Sequence, residues 1–471
     1  MLKFRLSLLF FALSILFLGS CENDKTENGG GGTDIQTGVT RIPGDIRDVV
    51  MYEANPKVFK GADPEGRNAL QAITARLDEI RELGVNVLWI MPIYEEGTEQ
   101  VGSHAYKGSP YCIKDYKKID AKYGTLADLK TLVKEAHKRD IAVLMDWVAN
   151  HTSFDNVWIT AHPEWYTHDA AGNIVSPDPA WLDVADLNYD NLDLQNAMID
   201  ALEYWIKEAD IDGYRCDAVD YMRPASLFWE RAIRELREST TKNILMFAEG
   251  DKEDWFAAGF DMDFGWNLYT RTTSLFNGLA VNTYFIFVRG EQGNIPAGKA
   301  RVHFTNNHDK SAWEKNDVQL FNGERGAVAA FVVTATLTGT PLIYSTQEIA
   351  FPKNVGFFDD NSFDYRQIDW NSNPEILNEY KKLMGIYAAH AAIRKGTVET
   401  FANNSGIVYY TCANENEEFL IAVNVRNTAN TLTLAEQFVG TTYKNLMTDE
   451  TLTMPATLDM TAYQYFIWKK V

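Results

Sequence analysis

Cysteine is scarce in this chain, with four among 471 residues. Cys21 belongs to the N-terminal segment. Cys112, Cys216 and Cys412 are odd in number and widely scattered, which excludes a disulfide framework and any paired metal-ligand spacing. Positive charge is also short. Forty-four Lys and Arg stand against 65 Asp and Glu, a net charge of −21, which argues against nucleic acid as a partner and against direct adsorption to anionic lipid. No glycine-rich loop follows any strand pattern, so a phosphoryl or nicotinamide enzyme lacks its phosphate cradle. What the chain has is apolar bulk. It is 46% hydrophobic and carries 12 Trp and 22 Tyr, enough for a large core with rings left over for flat ligands. Its length fits a barrel of roughly 250 residues or more plus an accessory module.

The N-terminus reads as a targeting segment. Lys3 and Arg5 precede a mostly apolar run, Leu6 to Leu18, too short for a comfortable membrane span. Leu18-Gly19-Ser20-Cys21 resembles a bacterial lipobox, which implies a signal peptide over 1–20 and acylation of Cys21. An ordinary signal peptide with a chance Cys is the alternative. Residues 21–44 are polar and glycine-rich, with Gly29 to Gly32 consecutive, and read as a flexible linker. The expectation is a protein of the bacterial cell envelope, held at the outer membrane by a lipid and not spanning it.

From about Arg47 apolar strands alternate with amphipathic helices, as in a parallel α/β fold. Eight strand candidates are Val49–Tyr52, Val85–Ile93, Ile141–Val148, Ile211–Val219, Ile244–Glu249, Phe260–Phe264, Val302–Asn306 and Pro341–Tyr344. Between them, Leu70, Ile73, Leu77, Ile80 and Leu83 recur at helical spacing before Gly84. Thr125 with Asp128 predicts a capping box, and Leu192–Ala209 a further helix. Eight such units predict a closed (β/α)8 TIM barrel over 45–395, with a doubly wound open sheet as the alternative. An excursion over 152–190, rich in Trp, His, Pro and Asp, reads as an inserted flap domain. Residues 396–471 read as a C-terminal antiparallel β-sandwich.

Ionisable residues gather at the predicted C-terminal strand ends, where a barrel places its active site. The third strand ends Asp146-Trp-Val-Ala-Asn150-His151, the fourth Gly213-Tyr-Arg215-Cys-Asp217, and the fifth stops on Glu249. The seventh ends Asn307-His308-Asp309. Two carboxylates at neighbouring strand ends can face one reacting atom, the minimal apparatus for cutting a glycosidic bond.

These segments, with Asp186-Leu187-Asn188, Tyr111-x-x-x-Asp115-Tyr116 and Gly339-Thr-Pro341-x-Ile-Tyr344-x-x-x-Glu348, resemble the signature motifs of the α-amylase family, glycoside hydrolase family 13, over about residues 45–471. The resemblance implies Asp217 as nucleophile, Glu249 as acid and base, and Asp309 as the group holding sugar hydroxyls. It implies substrate contacts from Tyr111, His151, Arg215 and His308. No cofactor is implied for the chemistry. Asn150 and Asp186 sit where the family binds a structural calcium, though Asn150 can equally hydrogen-bond the flap. The chain departs from the pattern after the nucleophile, where Asp220-Tyr221 replaces a frequent Lys-His. Ala218 is more typical of α-1,4-acting members, which points to starch-like glucans or maltooligosaccharides as substrate. An α-1,6-acting, transglycosylating or non-catalytic glycan-binding relative is the alternative. Membrane attachment through Cys21 further suggests a glycan-uptake complex as partner.

Overall fold

A computed structural model describes residues 39–98, 109–222, 225–250, 254–337, 339–358 and 363–471. The segment over 1–20, Cys21 and most of the linker over 21–44 lie outside the described residues. The eight expected barrel strands all form: β1 Met51–Ala54, β2 Val87–Ile90, β3 Ala142–Val148, β4 Gly213–Asp217, β5 Leu245–Ala248, β6 Met262–Phe264, β7 Ala300–His303 and β8 Thr340–Tyr344. Each pairs in parallel with its neighbours in sequence, and β1 closes on β8. The ring is closed, and the open-sheet alternative falls.

Strand side chains alternate with period two, and this sorts the barrel into an inside and an outside. Met51, Val87, Trp89, Ala142, Leu144, Leu245, Phe247, Met262, Phe264, Val302 and Leu342 form one buried cluster drawn from seven of the strands. Their neighbours, such as Tyr52, Leu88, Val143, Tyr214, Met246 and Ile343, pack in a second cluster with the helices. One further step of two along the inner rows reaches Glu53 from Met51, Asp146 from Leu144 and Glu249 from Phe247. On β4 the inner row runs Gly213, Arg215, Asp217. Gly213 is required there, because its φ is +146° and a Cβ would sit 2.0 Å from the Leu245 carbonyl oxygen.

The helices follow the sequence signals with one departure. Leu126–His137 carries the expected capping box between Thr125 and Asp128, and Leu192–Ala209 is capped by Asn191. The run ending at Gly84 is two helices, Ala69–Ala75 and Leu77–Glu82, which meet at Arg76. Gly84 follows at φ +75°. The excursion after β3 holds a short antiparallel pair, His151–Ser153 with Val184–Asp186.

At the C-terminus six antiparallel strands form a sheet faced by a two-stranded ribbon, Asn430–Thr433 with Thr457–Met460. One face of the sheet, including Val408, Tyr410, Phe419 and Ile421, joins the core shared with the barrel helices. The other, including Tyr409, Leu420 and Trp468, packs with Leu432 and Phe438 in a core of its own.

Candidate active site

The inner rows place four carboxyl groups, Glu53, Asp146, Asp217 and Glu249, at the mouth of the barrel with one guanidinium among them. Arg215 has no exposed surface. Its Nη1 donates to Asp146 Oδ1 at 2.9 Å and to Asp217 Oδ1 at 2.8 Å, and its Nη2 lies 2.8 Å from Glu249 Oε2. A planar guanidinium is a fixed fork, so Asp217 and Glu249 are held side by side. Ala218, in the left-handed region at φ +50°, turns its N–H onto Glu249 Oε2 at 2.8 Å. That oxygen accepts the Ala218 N–H beside the Arg215 cation, so a proton on Glu249 belongs on Oε1.

Electrostatics divides these acids. Burial, with the neighbouring charges of Asp217 and Asp309, raises Glu249 well above the ordinary carboxyl range against the pull of Arg215. Burial also pushes Asp146 up to about 7. Asp146 lies beneath the cleft and accepts from Trp89 Nε1 at 3.1 Å and from the Tyr111 hydroxyl at 3.2 Å.

His308 sits across the cleft from this cluster. Its Nδ1 lies 2.5 Å from Glu53 Oε1 and its Nε2 lies 2.8 Å from the Tyr111 hydroxyl. Burial opposes its charge, but Asp309 and Glu53 outweigh that and raise it to about 9. Tyr111 stacks on His308 with ring centroids 5.3 Å apart at 19°. His151 is buried beside Asn150, whose Nδ2 is 3.1 Å from its Nδ1, and burial lowers its pKa.

A cleft of roughly 540 Å³ opens above, lined by Asp217, Glu249, Asp309, Tyr111, His151 and His308. Thus six of the seven residues expected at the site share one cavity, and the seventh, Arg215, lies under it. Asn150 is 1% exposed behind His151. Asp186 pairs with His151 across the flap strands, placing it one residue from Asn150 in register. Cys21 lies outside the described residues.

Sequence reasoning missed Glu53, which orients His308, and the flap residues Trp181 and Asp183, which line the cleft. Glu53 follows an apolar run at a strand end just as Glu249 does, so the signal was present. The flap residues sit on irregular backbone, where no periodicity says which side chain faces inward.

Known proteins agree with this geometry. Residues 54–172 and 180–384, more than half the chain, match the family model for the alpha amylase catalytic domain. The chain is 26% identical over 381 residues to a probable oligo-1,6-glucosidase of Bacillus subtilis, covering 66% of each, just under two thirds of that relative's length. It is 24% identical over 445 residues to an alpha-amylase of Dictyoglomus thermophilum, covering 82% of this chain and 86% of that one. A maltogenic alpha-amylase structure from Thermotoga neapolitana matches at TM-score 0.76 and 26% identity, over 91% of this chain and 99% of that one. An alpha-amylase from Lactobacillus plantarum matches at 0.75 and 28%, over 90% and 99%. Both the family model and the barrel mouth lead to the same place: this chain belongs to the alpha-amylase family of glycoside hydrolases.

Proposed function

We propose that the protein is a retaining glycoside hydrolase that cleaves α-glucosidic bonds, α-1,4 bonds of starch-like glucans or maltooligosaccharides above all. The observation that carries this reading is the shared Arg215 guanidinium, which sets Asp217 and Glu249 side by side in one cleft. Retaining enzymes need the closer of the two carboxyl spacings, because one acid must itself attack.

In the first step Asp217 attacks the anomeric carbon while Glu249 gives its proton to the departing glycosidic oxygen. The C–O bond to the leaving sugar breaks and a glycosyl ester forms on Asp217. Glu249, held protonated by burial and by its acidic neighbours, suits the acid role at neutral pH. In the second step it takes a proton from water, which displaces Asp217 and restores the starting configuration. Asp309 bonds hydroxyls of the sugar ring, and His308, its two nitrogens engaged by Glu53 and Tyr111, lines the site as a cation. Tyr111, its hydroxyl already engaged, offers its ring face. His151 completes the polar wall of the site.

The names of the relatives support an α-glucan substrate and leave the linkage to Ala218, the residue after the nucleophile. A structural calcium also fits this chain. Asn150 Oδ1 is buried with no hydrogen-bond partner, and Asp186 lies beside it across the flap pairing. Among the described residues no three His, Cys, Asp or Glu side chains form a metal cluster, so carbonyl oxygens would complete the shell, as calcium accepts. The ion would fasten the flap to β3. Attachment to the bacterial outer membrane through an acylated Cys21, in the company of a glycan-uptake complex, completes the reading. It rests on the lipobox and the polar linker.

The test is product analysis on starch, pullulan, isomaltose and maltotetraose, beside Glu249→Gln. Release of α-anomeric maltooligosaccharides from starch, with a silent variant, is expected. Cleavage of isomaltose alone would overturn the linkage. Binding without cleavage of any substrate would overturn the enzyme.

A further inference from the structure

The barrel closes where β1 meets β8, and the last residues of the two strands are tied there by more than the ladder. Glu53, whose carboxylate holds His308, pairs with Tyr344 in register. Its own carbonyl oxygen accepts two hydrogen bonds from Ser345. One comes from the N–H at 3.1 Å and extends the ladder by a step; the other comes from the hydroxyl at 2.8 Å. A serine hydroxyl gives one proton and keeps lone pairs to accept with. Ser345 Oγ accepts the Asn55 N–H at 2.9 Å. One hydroxyl thus bridges residues 53 and 55 at the end of β1, and Ser345, Glu53 and Asn55 are all buried.

The turn that carries this hydroxyl is held in a strained form. Thr346 sits at φ +78°, a left-handed backbone that a β-branched residue rarely adopts and that persists where the surroundings over-determine it. Gln347 supplies the restraint. Its Oε1 accepts the Tyr344 N–H at 3.1 Å and its Nε2 donates to Thr305 Oγ1 at 3.0 Å. The alpha-amylase motif commonly has Tyr-Gly where this chain has Ser345-Thr346, so the hydroxyl and the strained threonine are features of this chain.

Glu53 needs such support. Its Oε1 meets both the His308 N–H at 3.3 Å and His308 Nδ1 at 2.5 Å, while Oε2 is buried with no hydrogen-bond partner among the described residues. Nothing else braces the carboxylate from the side, so its place follows from where the backbone of residue 53 is held. We propose that Ser345 is a positioning residue for the reaction: its hydroxyl fixes the end of β1 and, through Glu53, holds His308 against Tyr111 at the wall of the cleft. This inference rests on the hydrolase reading above.

The experiment removes the hydroxyl alone. Ser345→Ala should lower kcat on maltotetraose about tenfold per folded molecule, the scale of a displaced group in an active site, and His308 should titrate lower in NMR by about half a unit or more. In the Glu53→Gln background the same change should cost less than about twofold, because the route through Glu53 is already cut. Tyr52→Phe is the control. It deletes the Tyr52 bond to Glu348 Oε1, 2.9 Å long, on the outer side of β1, and should lower the thermal midpoint with His308 unmoved. A fallen midpoint in Ser345→Ala with kcat and His308 titration unchanged would make Ser345 a fastener of the seam and overturn the proposal. So would losses that multiply in the double variant, or an equal His308 shift in Tyr52→Phe. A wild type inert toward maltotetraose would overturn the hydrolase reading instead, and the His308 titrations would still decide the tie.

Discussion

Asp212 and Asp217 stand five residues apart at opposite ends of β4, and both are buried acids beside a buried cation. At the lower end Asp212 is fully buried. Its Oδ2 accepts the Val143 N–H at 2.8 Å and lies 2.7 Å from His137 Nε2, while Lys242 approaches Oδ1 to 3.6 Å. Lys242 also bonds Asp210 at 2.7 Å. Each acid of this network answers a backbone group or a cation, though Asp212 Oδ1 itself takes no hydrogen bond among the described residues. At the upper end Asp217 takes, among the described residues, one hydrogen bond, from Arg215, and lines an open cleft with Glu249 and Asp309. The same residue type thus fastens the barrel at one end and is kept available at the other. The lower network serves stability and the upper one function, the division that a barrel's two faces allow.

Substitutions should separate the two ends sharply. Glu249→Gln keeps the shape and removes the proton, so kcat on maltotetraose should fall about 10²–10⁴-fold. The thermal midpoint should move by no more than about 2 °C. Asp212→Ala should do the reverse. It leaves His137 and the Val143 N–H without their partner, at a cost of about 3 kcal/mol, read by urea unfolding, while kcat per folded molecule stays at the wild-type value. If Asp212→Ala lowers kcat as strongly as Glu249→Gln, the division of labour between the ends is wrong.

The barrel was largely legible in the sequence because β2, β3, β5 and β8 are mostly apolar runs of strand length. The fourfold gathering of acids and histidines at strand ends then marked the mouth. What escaped has physical reasons. The expected first strand stopped at Tyr52, whereas the ladder runs on to Ala54, so Glu53 was left in a loop. Reading the period of two one step further would have caught it. In the C-terminal sheet, Thr397–Thr400, Thr442–Asn445 and Thr451–Thr453 carry little strand signal of their own. Their residues are mostly threonine, asparagine and charge, and apart from Tyr443 and Asn445 they are half-exposed or exposed, so hydrophobic alternation had little to report. The helix break falls at Arg76. Its guanidinium lies 4.2 Å over the Trp370 ring, far away in sequence.

A milder change probes whether the upper end tunes charge or merely positions side chains. Glu53→Gln leaves an oxygen for His308 Nδ1–H but removes the negative charge that, with Asp309, holds His308 near 9. The imidazole should titrate about one unit lower or more in NMR, and kcat should drop about tenfold. An unchanged His308 titration with reduced kcat would make Glu53 a purely geometric support.

The smallest effect concerns pH and stability, and its sign follows from linkage. Burial raises Asp146, Asp317 and Glu348 from ordinary carboxyl values to about 7. A raised folded value means stability that is complete below the unfolded value and is lost as pH climbs through about 7. His308 adds a term of the same sign, lost as pH rises from 6.5 through about 9. His303 runs the other way: burial lowers it to about 4, so its contribution is present above 6.5 and lost as pH falls through about 4. Between pH 5 and 7 the raised carboxyls, Glu249 among them, outnumber the lowered His303 and His151, and above 7 His308 continues the fall. The thermal midpoint should therefore fall steadily from pH 5 to pH 9, by a few degrees in all. Asp317 is the cleanest probe, because it lies outside the cleft and its Oδ2 has no hydrogen-bond partner. Asp317→Asn cannot gain a charge as pH rises, so its midpoint should fall less between pH 5 and 7 than that of the wild type. A midpoint that rises over this range in the wild type would mean that the buried carboxyls remain ionised, and that the upper half of the barrel is as fully paired as the lower.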